Sequence, residues 1–199
     1  VPSVAIPPVR IKTIGVPRPV LFSGNQESPL GGEDLPIPRM GDRFAIDVTT
    51  GQLLRDDDAR NLIASLIEAT TSGAIMPLIL PGSDQRRWST PVVDGTDQAG
   101  SILKVRGFGT NTGLLRGEFF SIVHAGRRYV HMITANMTVP ADGRISVPIW
   151  PMLRFLTVDG EQCEFTEPMI EGRLVGFDQG AVLSGIRIQP LQFSIVERA

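Results

Sequence analysis

The sequence of 199 residues predicts a mainly β fold with one helix, and three observations carry that expectation. Short apolar runs recur along the chain, many of them alternating, with Gly, Pro, Asn or Asp between them, which is the pattern of strands joined by tight turns. One stretch alone, Asp57 to Thr71, places apolar residues at helical spacing. The 16 prolines and 21 glycines make up about one residue in five, against about one in eight in ordinary proteins, and they flank the apolar runs without forming a disordered tract.

Each element follows from local chemistry. Val1 to Pro19 carries Pro2, Pro7, Pro8, Pro17 and Pro19 among apolar residues, and proline lacks an N–H and disfavours helix in the residue before it. The segment is therefore extended, either as an edge strand of its own domain or as an arm lying on a neighbouring subunit. On the second reading Ile6, Val9, Ile11 and Ile14 are the candidate subunit-interface residues. Val20 to Ser23 continues as a short strand, and Gly24 to Pro38 has no periodicity and reads as a loop. From Asp42 to Thr49 the chain alternates, with Phe44, Ile46 and Val48 on one face and Arg43, Ala45, Asp47 and Thr49 on the other.

The helix opens on Asp56, Asp57 and Asp58, whose carboxylates can cap free N–H groups and meet the positive end of the dipole. Three consecutive side chains at a helix start diverge, which makes the triplet a cap and not a cation site. Ala59, Leu62, Ile63, Leu66 and Ile67 form the expected buried stripe, and Gly73 stands where a left-handed cap belongs. Ile75 to Leu80 is a buried strand beside it. Ser83 to Thr90 is a solvated linker; its Arg86, Arg87 and Trp88 make a poor footprint for nucleic acid.

The second half opens with strands at Pro91–Gly95 and Ser101–Gly107. A meander follows: Leu114 to His124, the Gly-containing segment Ala125-Gly126-Arg127, then Arg128 to Thr134, and after Asp142-Gly143 a further run from Arg144 to Trp150. Leu153–Gly160, Cys163–Phe165, Pro168–Gly176, Ser184–Ile188 and Leu191–Val196 complete the set of short strands.

The totals exclude several functions. A hydrophobic share of 42% with 20% charged residues is that of a soluble globular protein, long enough for one domain or two small ones. A net charge of −2 lacks the basic face of a nucleic-acid binder. No apolar run reaches about eighteen residues, so no membrane anchor is expected. The first residues lack the charged and apolar regions of a secretion signal, which leaves a soluble, cytoplasmic product as the expectation. Cys163, the single cysteine, gives no disulfide framework, and no basic neighbour stabilises its thiolate.

No catalytic pattern emerges. His124 and His131 lie on the two arms of one hairpin and read as near cross-strand neighbours, but a metal needs three or four ligands and none completes the set. Gly107, Gly109 and Gly113 precede a strand where a phosphate loop needs a helix. Glu118 and Glu164 form only an arbitrary carboxylate pair, and no serine sits in a nucleophile elbow. The expectation is a protein that is not an enzyme and takes no cofactor and no metal.

The order of several segments carries a resemblance. Pro38-Arg39-Met40-Gly41-Asp42-Arg43-Phe44-Ala45-Ile46-Asp47-Val48 is followed by Asp58-Ala59-Arg60 opening a helix, then by Pro91-Val92-Val93-Asp94-Gly95 and Gly117-Glu118-Phe119-Phe120-Ser121-Ile122. Arg128 to Ala135, Ala141-Asp142-Gly143, Pro151-Met152-Leu153-Arg154 and Pro168-Met169-Ile170-Glu171-Gly172 complete it. From Pro38 to the C-terminus the chain resembles the distal tail proteins of long-tailed, non-contractile bacteriophages and related gene-transfer particles. That resemblance implies a hexameric ring of identical subunits at the tail tip, joining the tail-tube protein to the hub and to receptor-binding or fibre proteins. It further implies a virion location after assembly in the host cytoplasm, and neither a nucleic-acid partner nor a membrane anchor. It also implies a β-sandwich ring domain with one helix, here residues 1–89 and 173–199 with 1–19 as the extended arm, and an inserted small β-barrel, OB-like or similar, at 90–172. Two alternatives stand beside it. One is a carbohydrate-binding β-module, for which 6% aromatic residues is thin. The other is a different virion part, a head–tail connector or a tail-tube subunit.

Overall fold

A computed structural model of the chain describes residues 2–8, 11–26, 31–78, 90–109, 112–178 and 180–198. Strands account for 47% of the described residues and helix for 9%, so the class is mainly β with one helix and a barrel. The strands in chain order are β1 (Val4–Ala5), β2 (Ile11–Ile14), β3 (Arg18–Val20), β4 (Gly24–Gln26), β5 (Leu35–Ile37), β6 (Arg43–Thr50) and β7 (Leu53–Leu54). Helix α1 (Asp57–Ser72) and β8 (Ala74–Pro77) follow, then β9 (Val92–Val93), β10 (Gly100–Arg106), β11 (Gly113–Leu114), β12 (Phe119–His124), β13 (Arg127–Ile133), β14 (Met137–Thr138) and β15 (Arg144–Leu153). β16 (Cys163–Glu164), β17 (Met169–Val175), β18 (Leu183–Ser184), β19 (Arg187–Ile188) and β20 (Gln192–Glu197) close the chain. The expected strand at Ile75–Leu80 is β8, with Ile79 and Leu80 outside the described residues, as are residues 83–89 of the expected linker. Among the described residues no helix is long and apolar enough to cross a membrane.

The described residues fall into two compact units, the first within Val1–Arg18, Phe44–Gly82 and Met169–Arg198, the second within Pro19–Arg43 and Ser83–Pro168. These limits differ from two expected boundaries. β17 is one continuous strand held between β8 and β20, so the first unit resumes at Met169 and not at Arg173. Residues 19–43 cluster with the second unit, away from the segment of 1–89 to which the sequence assigned them.

In the first unit the main sheet runs β1-β8-β17-β20-β6-β2 and curves as a half-barrel. The expected two-sheet sandwich is present only loosely, because the remaining strands form a small sheet in the order β18-β19-β7. Phe44, Ile46 and Val48 of β6, Ile170 and Leu174 of β17, and Phe193 and Ile195 of β20 are buried, each set alternating along its strand. Ala45 is buried as well, so β6 is covered on both faces near its start. Helix α1 packs against β17, β1 and β8 and buries Ala59, Leu62, Leu66, Ala69 and Ser72. The buried stripe is narrower than the sequence suggests: Ile63 is half-buried and Ile67 is exposed. The helix starts as its chemistry requires, with Asp56 extended at the N-cap and its carboxylate accepting from the Ala59 N–H at 2.9 Å. It ends at Gly73, whose φ of 98° favours glycine and whose N–H bonds to the Ala69 carbonyl. Asp56→Ala removes that cap, and melting should show a loss of about 1 kcal/mol.

The second unit is a nearly closed barrel in the strand order β16-β12-β13-β15-β10-β9. A bridge between Val92 and Gln162, with Val93 N–H to Glu161 O at 2.9 Å and Cys163 N–H to Pro91 O at 3.0 Å, brings its two ends together. The predicted hairpin is β12 and β13, joined by the two-residue turn Ala125-Gly126 with φ of 49° and 76°. Positive φ at both central positions is the type I′ geometry that matches strand twist. β15 is longer than expected and joins two partners, pairing β10 from Arg144 to Pro148 and β13 at Ile149 and Trp150. The run expected as a strand from Leu153 to Gly160 is instead turn and loop after Leu153, with Gly160 at φ 82°. The core gathers Leu103, Val105, Phe120, Ile122, Ile133, Val147 and Phe165, where Phe120 and Phe165 stack at 4.4 Å between ring centres. Gly24 to Pro38, expected as a loop, holds the small β4–β5 hairpin; its Gly, Asn and Pro residues pair through the backbone and leave no hydrophobic period to read.

Candidate assembly surfaces

The polar clusters of the second unit are each closed on themselves. His131 is fully buried; its Nδ1 donates to the Pro151 carbonyl at 2.9 Å, and its Nε2 has no partner among the described residues. Burial pushes its pKa down to about 3, the carbonyl bond opposes this, and the Arg154 charge adds to the depression. The two histidines are not cross-strand neighbours, because the register pairs His131 with Phe120 and His124 with Arg127. Four residues separate the paired positions, about 13 Å along an extended strand. His124 Nδ1 meets the Glu161 carboxylate, and its ring stacks on Phe155 at 4.1 Å. Phe155 lies 4.5 Å from Tyr129, whose face carries the Arg154 guanidinium at 5.0 Å.

Arg106 bonds Asp94 and Asp159, and Arg144 reaches Asp94 at 3.1 Å. The Arg106 guanidinium and the Gly95 N–H hold the exposed Asp159 carboxyl at about 2. Glu164 accepts from Ser121 and Arg128, and Glu118 accepts from the Leu115 N–H at 3.0 Å, so the nominated pair works in two separate local networks. Cys163 is buried, and its thiol is pushed above the usual range first by desolvation and then by Glu161 and Glu164. Gly113 opens strand β11, where a phosphate loop would lead into a helix. Arg86, Arg87 and Trp88 lie outside the described residues. Among the described residues no group of three or more His, Cys, Asp or Glu is placed to hold a metal ion.

A surface groove of about 530 Å³ in the second unit is lined by Leu21, Ile37, Pro38, Trp150 and Met152, with Ser23, Ser101 and Asp42. Asp42 is committed to the turn beside it, accepting from the Phe22 N–H at 2.7 Å, the Ser23 N–H at 2.8 Å and the Ser23 hydroxyl at 2.6 Å. Burial disfavours its charge, yet these bonds outweigh burial and hold the carboxyl below its usual value.

The first unit exposes several apolar side chains. The arm is folded onto its own unit at one end: β1 pairs in parallel with β8, Ser3 bonds Glu171, and Ile6 is 3% exposed. Of the interface candidates, Ile6 is therefore occupied within its own chain, Ile11 and Ile14 are half-exposed on β2 at the end of the sheet order, and Val9 lies outside the described residues. Leu54, Val182, Leu183 and Ile186 are all exposed on and beside the small β18-β19-β7 sheet. The run Ser184 to Ile188, expected as one strand, is instead a hairpin of β18 and β19, and this exposes the side chains at its turn. The signal was Gly185-Ile186 between two apolar stretches, the pattern of a two-residue hairpin turn. No family model matches the sequence, and none of the curated proteins matches it either.

Proposed function

We propose that this chain is a structural subunit of a bacteriophage tail tip, a distal tail protein that assembles with copies of itself into a ring, hexameric in the family it resembles. The ring joins the tail tube to the hub and the receptor-binding parts, and it works by assembly, without catalysis. The observation that carries this reading is the path of the chain. Besides the short excursion of residues 19–43, it leaves the helix-bearing unit after β8, builds a barrel, and returns at β17, where Met169 pairs with Pro77 and Ile170 with Met76. An insertion whose two ends are neighbours in one sheet leaves the host unit intact, and this is the organisation that the resemblance implies.

The exposed apolar side chains Leu54, Val182, Leu183 and Ile186 of the first unit give further support, since exposed apolar surface marks interaction sites. A carbohydrate-binding module has less in its favour. Phe108, Phe120 and Phe165 are packed inside the barrel, and His124, Tyr129 and Phe155 stack on one another. The test is assembly of the full chain with the tail-tube and hub proteins of its own particle, followed by light scattering and negative-stain imaging. Closed rings are expected. A strictly monomeric protein at high concentration in that mixture overturns the proposal.

A further inference from the structure

The hairpin formed by β18 and β19 has an unusual tip. Ser184 pairs with Arg187, so Gly185 and Ile186 form a two-residue turn, and Gly185 at φ 60° supplies the positive angle that a type II′ turn needs first. The second turn position is ordinarily polar because it faces water. Here it is Ile186, 76% exposed, with Leu183 at 60% and Val182 at 54% on the same ribbon. Nothing in the turn geometry calls for a branched aliphatic side chain there. An apolar side chain at the tip of a surface hairpin is stabilised only if something covers it.

The same unit carries a recess suited to that tip. A cavity of about 440 Å³ opens beside the root of the hairpin, lined by the apolar Phe177, Val182, Pro190 and Leu191 and the polar Gln189 and Gln192, with Gly176 and Gly180. It also presents the exposed carboxylate of Asp178. The two features are complementary in charge, and the recess offers apolar side chains to the tip. Arg187 follows Ile186 at the tip and is held by the Gln52 side chain at 2.9 Å, so a cation accompanies the apolar tip and an anion borders the recess. The root is closed by the Gln189 N–H bond to Val182 O at 3.0 Å, which fixes the recess at the opposite end of the hairpin from its tip.

We infer that the Ile186 tip of one copy inserts into the recess beside Phe177 and Leu191 of the next copy, with Arg187 facing Asp178 across the contact. The inference rests on the ring reading and names the surface that closes it. Tip and recess are different patches of one unit, so the contact is head-to-tail, the kind that generates a ring when its rotation closes.

Two experiments separate this inference from the reading it builds on. Ile186→Asp and Arg187→Asp alter exposed side chains and should leave the melting temperature unchanged while weakening self-association at least about tenfold. Asp178→Arg should weaken it similarly, and combining it with Arg187→Asp should restore much of the loss. Rings in the wild type and none in Ile186→Asp support the contact. Rings in both overturn it and leave the tail-tip reading standing. No rings in the wild type overturn the tail-tip reading, and cross-linking then decides the contact alone. For that, a chain carrying Ile186→Cys is mixed with one carrying Gly180→Cys, the native Cys163 being buried. Disulfide-linked pairs containing one chain of each kind support the contact, and their absence overturns it.

Discussion

Gly172→Ala is expected to prevent the first unit from folding. Gly172 pairs with Glu197 between β17 and β20, and a methyl group added there would lie 2.0 Å from the Val196 carbonyl oxygen and 2.8 Å from the Glu197 Cα. Both are backbone atoms of a paired strand, so no side-chain rotation relieves the overlap. The ladder from Gly172 to Val175 would have to part, and with it the sheet on which α1 packs. The loss should exceed about 4 kcal/mol, in the range reserved for such mechanisms. Gly126→Ala is the control. Its φ of 76° is costly for alanine, but nothing lies within 4 Å of the added carbon, so the loss should be only about 1–2 kcal/mol. Circular dichroism and melting of the two variants check the contrast, and a folded Gly172→Ala protein with near-native melting would refute the packing argument.

The second large effect is acid sensitivity of the barrel. His131 titrates at about 3 in the folded chain and near about 6.5 when unfolded. Between those values the unfolded state binds a proton that the folded state refuses, so stability rises with pH across this window and is lost as pH falls through it. From this group alone the loss is about 2 kcal/mol at pH 5 and about 4–5 kcal/mol as pH approaches 3. The carboxylates Asp42, Asp47 and Asp159 are held below their usual values and also weaken the fold in acid, but only below about pH 4. Melting between pH 7.5 and pH 5 therefore leaves these carboxylates ionised, and a variant of His131 picks out the share of this histidine. His131→Phe should melt lower at pH 7.5, because the Pro151 carbonyl loses its donor, and should show much less loss between the two pH values. A wild-type melting temperature that does not change from pH 7.5 to pH 5 would contradict the argument.

How much was legible in the chain depends on the range of the forces involved. Helix α1 could be read closely, because Asp56, the 3–4 spacing of Ala59, Leu62 and Leu66, and Gly73 act within a few residues of one another. The β12–β13 hairpin was legible for the same reason, its turn being set by Ala125-Gly126. Strand β6 showed its alternation, although burial of Ala45 on the opposite face depends on packing from elsewhere in the unit. The β4–β5 hairpin was not legible, since backbone pairing among Gly, Asn and Pro leaves no hydrophobic period.

The sequence by itself determined the mainly β class, the helix with both its caps, and a hairpin turning within Ala125-Gly126-Arg127. These follow from local propensity and from composition. Only the tertiary structure decided which strands share a sheet, that β17 belongs whole to the first unit, that residues 19–43 go with the barrel, and that Ile6 is covered by its own chain while Ile186 is not. Pairing and burial depend on residues far apart in the chain, such as Gly172 with Glu197 or Phe120 with Phe165. An isoleucine carries the same side chain in either setting, and only the packed fold determines which of them water can reach.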